Sequence, residues 1–297
     1  KVQLDLPDLV QLLPDYKSRL EAIKPLGSVA LEVNLQGKLN NWRNWLLSIA
    51  ANSPQISLQG LKLTNLNLLF NQRDEAIKNF TLTAVAYSGN VEIFGNAGLS
   101  EDDLPGEMNI SVKDIDLAQL KMDTPWKEKP TSGKFSLSVQ IKGPVRNPKT
   151  LRGSGSLILT DGNLVELNLL KGLGSLLFIP EFEKIVFKEA GADFVIENSL
   201  IYTSNLAVKS NEMNLAGEGS VDFSGNLDFT LNTQLNQDLI QNSSSLKKSI
   251  TSFLSSATGA IVVKLTGNVQ HPKYKIIPVA GDIIKRVKEF LFEDILR

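Results

Sequence analysis

The chain has 297 residues, with 31 basic residues against 32 acidic ones, and it contains no cysteine. The near-zero net charge removes any general electrostatic attraction to nucleic acid. The lack of cysteine excludes disulfides, thiolate catalysis and cysteine metal sites, and the single histidine, His271, is too little for a histidine metal site or a nucleophile–His–acid triad. The composition therefore predicts a protein that is not an enzyme and that holds no metal or cofactor.

The first element in chain order is predicted to be helical. Its apolar residues recur at helical spacing, and Pro14 is expected to open a second short helix; they are Leu9, Val10, Leu12, Leu13, Tyr16, Leu20 and Ile23. Three later segments, 169–179, 246–257 and 282–297, also break the two-residue period of a strand. Most such amphipathic helices cover a sheet core, and the alternatives are a membrane surface or the mouth of a groove.

Three segments share one strand pattern that ends in a glycine. They are Gly27–Gly37, Gly133–Gly143 and Gly259–Gly267. In each, apolar side chains alternate with other residues, so the apolar ones fall on one face of a strand. Gly37, Gly143 and Gly267 are each expected at a bend, a bulge or a positive-φ turn that does not tolerate a side chain. A strand module repeated in this way predicts an array of similar β units.

The rest of the chain is dominated by further alternating segments. They lie at 80–86, 91–99, 108–112, 200–208, 213–223 and 227–235. Hairpin turns are predicted at 88–90, at 161–163 around Gly162, and at 224–226. The predicted fold is mainly β: an elongated, bent antiparallel sheet of repeated modules that forms an apolar groove, with a few short amphipathic helices at the ends and between modules.

Three regions follow from this organisation. Residues 1–129 form an N-terminal repeated β module with leading helices, 130–281 form a second β module, and 282–297 form a C-terminal helix that caps the array. The predicted groove residues are the apolar positions of the strands, and Gly37, Gly143, Gly162 and Gly267 are the predicted structural turns. The groove residues are Leu31, Val33, Leu35, Leu137, Val139, Ile141, Leu215, Val221, Leu227, Phe229, Ile261, Val263 and Leu265.

Two carboxylate pairs and a glycine pair are the remaining candidates for sites of chemistry. Asp102 and Asp103 fall in a predicted loop, and Glu181 and Glu183 fall at the charged end of a predicted helix or strand. These positions argue against acid–base catalysis. The glycine pair in 153–155 lacks the lysine and the following helix of a phosphate loop. A close backbone approach or a bulge is expected there instead.

Part of the sequence resembles a known family. The blocks 153–177, 194–210 and 213–223 give the order of glycine-rich strand, Asp-Gly turn, apolar helix, strand, Asn turn, strand and Gly-x-Gly strand. This order resembles the C-terminal region of AsmA-family proteins, which include TamB-like and YhdP-like members. The resemblance covers about residues 130 to 280, and the first hundred residues resemble the preceding family repeat more loosely.

The resemblance implies a function in the cell envelope. Proteins of this family are periplasmic and anchored in the inner membrane, and they are thought to carry phospholipid acyl chains along an apolar trough between the inner and outer membranes. It implies phospholipid or other acyl lipids as partners, outer-membrane proteins as further partners, and a role in outer-membrane biogenesis. The chain starts at Lys1 without a signal peptide, so a soluble fragment whose anchor lies upstream is expected.

Two other interpretations remain open on the residues alone. The apolar faces could close into a β-sandwich or barrel core. Alternatively, exposed sheet edges could pair with strands of an outer-membrane protein, which would make the chain a scaffold or assembly factor.

Overall fold

The computed structural model describes residues 2–11, 17–38, 41–99, 103–144, 146–164, 186–211, 213–235 and 260–277. Within them the chain is mainly β, with fifteen strands, β1 to β15, that follow one another in chain order in one antiparallel sheet. The few helices are short. The predicted mainly-β antiparallel fold is therefore confirmed. The predicted helices at 169–179, 246–257 and 282–297 lie outside the described residues.

The chain divides into two compact units. Lys1–Glu128 and Lys134–Gly155 form the first unit, and Lys129–Gly133 and Ser156–Arg297 form the second. The division of the chain into two β modules at 129/130 stays a prediction.

The first unit holds the leading helices and the first eight strands, and the start of the ninth. Its elements are β1 (Val2–Asp5), α1 (Leu6–Gln11), α2 (Lys17–Ala22), β2 (Leu26–Gln36), β3 (Leu46–Leu58), β4 (Leu61–Arg73), β5 (Ala76–Ala86), β6 (Gly89–Gly98), β7 (Pro105–Asp116), α3 (Leu117–Leu120) and β8 (Thr131–Pro144). Short 3-10 turns lie at Trp42–Asn44, Lys121–Asp123 and Pro148–Thr150. Residues 131–133, at the start of β8, belong to the second unit.

The second unit continues the same meander. Its elements are most of β9 (Arg152–Leu164), then β10 (Phe187–Glu197), β11 (Leu200–Ser210), β12 (Met213–Asp222), β13 (Asn226–Leu235), β14 (Ala260–Asn268) and β15 (His271–Ile277).

Several hairpins are closed by two residues with positive φ. Tyr87 and Ser88 have φ of 47° and 66°, and they join the paired residues Ala86 and Gly89. This is the type I′ geometry, whose twist matches the right-handed twist of the strands. The predicted turn at 88–90 is therefore real but lies one residue earlier. The turn predicted at 224–226 likewise lies one residue earlier, at 223–225, between β12 and β13.

The turn predicted around Gly162 is wrong. β9 runs through this position without turning back, and Gly162 is buried inside the strand. A Cβ at Gly162 would lie 2.9 Å from the carbonyl oxygens of Phe187 and Lys188 on β10. Asp161, with φ of 50°, shows that the backbone is irregular here. The Asp-Gly pair therefore serves a close approach of two backbones, not a hairpin.

The glycines that end the repeated strands behave as predicted. Gly37, Gly143 and Gly267 have φ of 153°, 134° and 85°. A Cβ at Gly37 would lie 2.6 Å from Cδ1 of Trp45, and one at Gly267 would lie 2.9 Å from the carbonyl oxygen of His271. A Cβ at Gly153 would collide with the carbonyl oxygen of Gln140, which confirms the close backbone approach expected there.

The leading helices are tied to the β3–β4 hairpin. The backbone amide of Gln59 donates to the carbonyl of Ile23 at 2.7 Å, and Nε2 of Gln59 donates to the carbonyl of Ala22 at 3.3 Å. Leu6 of α1 packs on the cluster of Ile56, Leu66 and Ala84. In this unit a leading helix thus covers part of the sheet, as predicted.

Candidate functional site

A continuous row of apolar residues crosses the first unit from β1 to β8. The strand register links one residue of each strand directly to the next, so all eight lie on the same face of the sheet. In strand order they are Val2, Leu31, Ala51, Leu68, Leu82, Ile93, Ile110 and Val139. We call this set the apolar row. It joins the predicted groove residues Leu31 and Val139, which lie more than a hundred positions apart in sequence.

The opposite face carries a matching row of polar residues. It is shifted by one position along each strand, so its side chains point the other way. In strand order it runs Gln3, Ala30, Asn52, Asn67, Thr83, Glu92, Ser111 and Ser138. Only Ala30 lacks a polar side chain. Along these two rows the first unit is apolar on one face and polar on the other, as the alternation in the sequence predicts. The polar face also carries two exposed apolar side chains, Leu69 and Phe94.

A second apolar row lies beside the first. It runs Val33, Ile49, Phe70, Phe80, Gly95, Met108 and Ile141. On β2 the apolar side chains of this face are open to solvent, with Val33 48% and Leu35 49% exposed. Met108 on β7 is 37% exposed. The apolar face of the first unit is thus accessible at several points.

The predicted groove residues of the second unit also share one face. Leu215 is linked through Thr233 to Ile261, Val221 pairs with Leu227, and Phe229 pairs with Leu265. Val263 stands between Leu231 of β13 and Ile276 of β15. The structure therefore gathers the predicted residues on a single apolar face within each unit.

The two units differ in how deeply their apolar side chains are buried. Val263, Leu265 and Leu215 are only 0%, 2% and 4% exposed. The other face of these strands is buried as well, since Ala216 and Val262 are 1% and 3% exposed. Described residues of the central strands of the second unit are therefore enclosed on both faces, whereas the first unit leaves apolar side chains on β2 half exposed.

The sequence pattern does not predict β3 and β4 or the apolar cluster that they form. The pairs Ser53–Leu66 and Ile56–Leu63 are three residues apart on each strand, and Asn65 between them has φ of 51°. Alternation is interrupted there, so Leu63 and Leu66 contact the same cluster despite their odd spacing. The alternation of Leu66, Leu68 and Phe70 was the signal that could have revealed the strand.

A polar cluster that the sequence did not reveal holds the β7–β8 connection against the sheet. Nζ of Lys62 lies 2.9 Å from Oδ1 of Asp123, and the hydroxyl of Tyr87 donates to Oδ2 of Asp123 at 3.1 Å. The backbone amide of Lys62 donates to the Tyr87 hydroxyl oxygen at 2.9 Å. The hydrogen bond with Lys62 lowers the pKa of Asp123, and the one with Asp123 raises the pKa of Lys62. Burial raises the pKa of Tyr87.

The described residues offer little material for other chemistry. They contain no cluster of His, Asp and Glu able to hold a metal ion. His271 is exposed at the start of β15, and Asp103 is exposed, whereas Asp102, Glu181 and Glu183 lie outside the described residues. Among the helices that the structure describes, none has the length and apolar character to cross a membrane.

In the first unit the arrangement offers an apolar row backed by a mostly polar one. Such a face can bury alkyl groups without needing a polar partner at each position. Comparison with protein-family models, with curated proteins and with solved structures gives no match at any of the three levels.

Proposed function

We propose that this chain binds the acyl chains of phospholipids along the apolar face of its sheet and lets them pass from strand to strand. The observation that carries the proposal is the apolar row, which runs unbroken over eight strands while the row behind it is polar. A soluble protein rarely leaves a large apolar surface open unless something binds there. Val33 and Leu35, both about half exposed, mark where this surface is accessible.

The dimensions support an acyl chain as the ligand. Strands stand about 4.8 Å apart, so eight of them place the ends of the apolar row roughly 34 Å apart. The hydrocarbon of one bilayer leaflet is roughly 15 Å thick. A lipid tail laid along the row would therefore contact three or four strands at a time and still have room to advance.

The energetics suit movement as well as binding. Each methylene removed from water is worth about 0.8 kcal/mol, and this gain does not depend on direction. A tail that slides by one strand exchanges one set of apolar contacts for an equivalent set. The headgroup can stay in water throughout, so the face needs no catalytic group and no cofactor.

The resemblance to AsmA-family proteins supplies the cellular setting of this proposal. In this proposal the chain acts in the periplasm, and phospholipid moves toward the outer membrane during outer-membrane biogenesis. Outer-membrane proteins are the further partners that the resemblance suggests.

Capture of a foreign strand at the β1 edge is less well supported. β1 has only four residues, and short edge strands are a common protection against edge-to-edge pairing.

The test is to purify the chain and extract it into organic solvent for phospholipid analysis by mass spectrometry. A photo-crosslinking amino acid placed at Val33 should then capture phospholipid, whereas the same group at Asn34 should not. Asn34 is the matched control because it is the next residue on β2, is also exposed, and belongs to the other face. Equal capture at the two positions, or no lipid at either, would contradict the proposal.

A further inference from the structure

Two hairpin tips of the second unit present apolar side chains at one end of its strands. The β12–β13 tip is 223–225 and the β14–β15 tip is 269–270. Phe223 is 49% exposed and Val269 is 51% exposed. The neighbouring β10–β11 tip, 198–199, carries Asn and Ser instead. We call 223–225 and 269–270 the paired tips.

Hydrogen bonds hold the paired tips side by side. The backbone amide of Val269 donates to the carbonyl of Gly225 at 2.9 Å. Nδ2 of Asn268 donates to the carbonyl of Ser224 at 3.0 Å. The exposure of Phe223 and Val269 is therefore set by two turns that are fastened to each other, and not by two independent loops.

Every backbone amide of the paired tips donates a hydrogen bond within the protein. The acceptors for the amides of 223, 224, 225, 269 and 270 are, in that order, the carbonyl of Ser199, Oδ1 of Asp222, the carbonyl of Asp222, the carbonyl of Gly225 and Oδ1 of Asn268. The backbone amide and the side chain of Asn226 also donate to Asp222, and they lower the pKa of its carboxyl. Such turns can leave bulk water without stranding an unpaired backbone donor.

Lysine side chains follow the β14–β15 tip. Lys273 and Lys275 are exposed, and they lie on the same face because they are two residues apart on β15. Lys264 stands directly opposite Lys275 and is itself paired with Asp228. Among the residues that the structure describes, no carboxylate forms an ion pair with Lys273 or Lys275. Like charges directly opposite each other destabilise an antiparallel pair, so an anion bound beside Lys275 would stabilise this hairpin.

Carboxylates are scarce around these lysines. The sequence has no acidic residue from 239 to 281, a stretch that contains five lysines. Apart from Asp228, the carboxylates on β12 to β15 are Glu218 and Asp222, both on β12, which is three strand spacings or roughly 14 Å along the sheet from β15. Glu197, at the tip end of β10, is five spacings or roughly 24 Å away. The charge that the described residues place along β15 is therefore positive.

We propose that the paired tips insert into the surface of an anionic phospholipid bilayer, with Phe223 and Val269 among the headgroups and Lys273 at the level of the phosphates. Apolar side chains of interfacial segments are buried about 5–10 Å into this region. Strands rise about 3.4 Å per residue, so Lys273 lies about 7 Å and Lys275 about 14 Å from the end of β15. Insertion to that depth places Lys275 within the Debye length of about 10 Å from the phosphates. This contact goes beyond acyl-chain binding and does not depend on it.

A single dye reports whether the β12–β13 tip enters the bilayer. The chain has no cysteine, so one introduced cysteine can carry an environment-sensitive dye at a chosen position. S224C places the dye in the tip. N214C is the control, because Asn214 is exposed on the same strand, eight residues or roughly 27 Å from Asp222.

The labelled chains are mixed with vesicles of phosphatidylcholine, alone or with phosphatidylglycerol. We expect the emission of the dye at 224 to shift to the blue with phosphatidylglycerol, and the emission at 214 to stay unchanged. Binding should weaken as salt rises. Unchanged emission at 224, an equal shift at 214, or equal binding to phosphatidylcholine alone would overturn the proposal.

Co-sedimentation with the mixed vesicles measures the apolar contribution. F223S should weaken binding by roughly tenfold, because about half of an aromatic side chain is transferred out of water. I158S is the matched control, since Ile158 is 52% exposed but lies within β9. Circular dichroism checks that both variants are folded. A folded F223S that binds like I158S would contradict insertion of the tip.

The same assay measures the contribution of the lysines. Replacing Lys273 and Lys275 together by Gln should weaken binding by about 25-fold, because each basic residue near an anionic surface is worth about fivefold. Replacing Lys188 and Lys209 by Gln makes the same change in net charge at the opposite end of the strands, on β10 and β11. This control pair should bind almost normally. Equal losses for the two pairs would mean that only net charge matters, and the proposed contact would be refuted.

Discussion

Substitutions at Val139 allow the effect on stability to be compared with the effect on lipid transfer. It lies at the end of the apolar row, pairs with Ile110, and is 9% exposed. V139A removes two methyl groups, each worth about 0.8 kcal/mol when buried. With nine tenths of the side chain buried and a small term for the space left behind, the free energy of unfolding should fall by about 2 kcal/mol. Urea unfolding followed by circular dichroism measures this loss.

Ser138 provides the matched control for a charge at this site. It is the preceding residue of β8, it is exposed, and it belongs to the polar row on the other face. S138D should change the free energy of unfolding by no more than about 0.5 kcal/mol. V139D should reduce the amount of co-purified phospholipid and its transfer between vesicles at least as strongly as it reduces stability, since a carboxylate in the path must be desolvated or avoided.

The outcomes at these two positions differ sharply. If V139D is folded, as stable as S138D, and carries and transfers lipid like the wild type, the apolar row is not the lipid path. If V139A loses stability as expected while V139D unfolds completely, Val139 acts as an ordinary core residue. That result would support the closed β-sandwich interpretation for β8.

Three further predictions concern stability and titration. G267A should destabilise the fold by about 1–2 kcal/mol in urea unfolding, because φ is 85° there, whereas G191A should have little effect, because its nearest neighbour would be 3.6 Å away. Burial raises the pKa of Tyr274 to about 12, above the value of about 10 in an unfolded chain. Its contribution to stability is therefore full below pH 10 and is lost as pH rises toward 12. Y274F should abolish this fall in the free energy of unfolding, as measured by unfolding at alkaline pH. The pKa of Asp123 is lowered by Lys62, so its contribution is present above its unfolded pKa and is lost as pH falls through the lowered value. D123N should remove this acid dependence, as measured by hydrogen exchange in the β7–β8 connection.

Alternation was sufficient to predict the strands that are regular. β2, β8 and β14 carry the repeated pattern, and each has a glycine with positive φ within one residue of its last position. The class of fold and the shared face of the predicted groove residues within each unit could be predicted in this way, because strand periodicity depends only on local geometry.

The sequence did not predict features that depend on irregular backbone or on distant partners. The Asp-Gly pair at 161–162 is a strong hairpin signal, but in the structure β10 approaches so closely that only glycine fits. Across β3 and β4, Pro54 and Asn65 interrupt the period that would have identified the strands. Lys62 and Asp123 are sixty-one positions apart, and no local pattern could have paired them.

The order of the strands has a consequence for how such a sheet can change in length. Each strand bonds to the strand before it and the strand after it in the chain, from β1 to β15. A hairpin inserted at a turn or removed from an end would therefore change the number of strands without altering the register of the others. Nucleation can also begin at any hairpin and extend outward by adding one neighbour at a time, since each addition closes only a short loop. The number of strands in the sheet is thereby set by how many hairpins the chain contains.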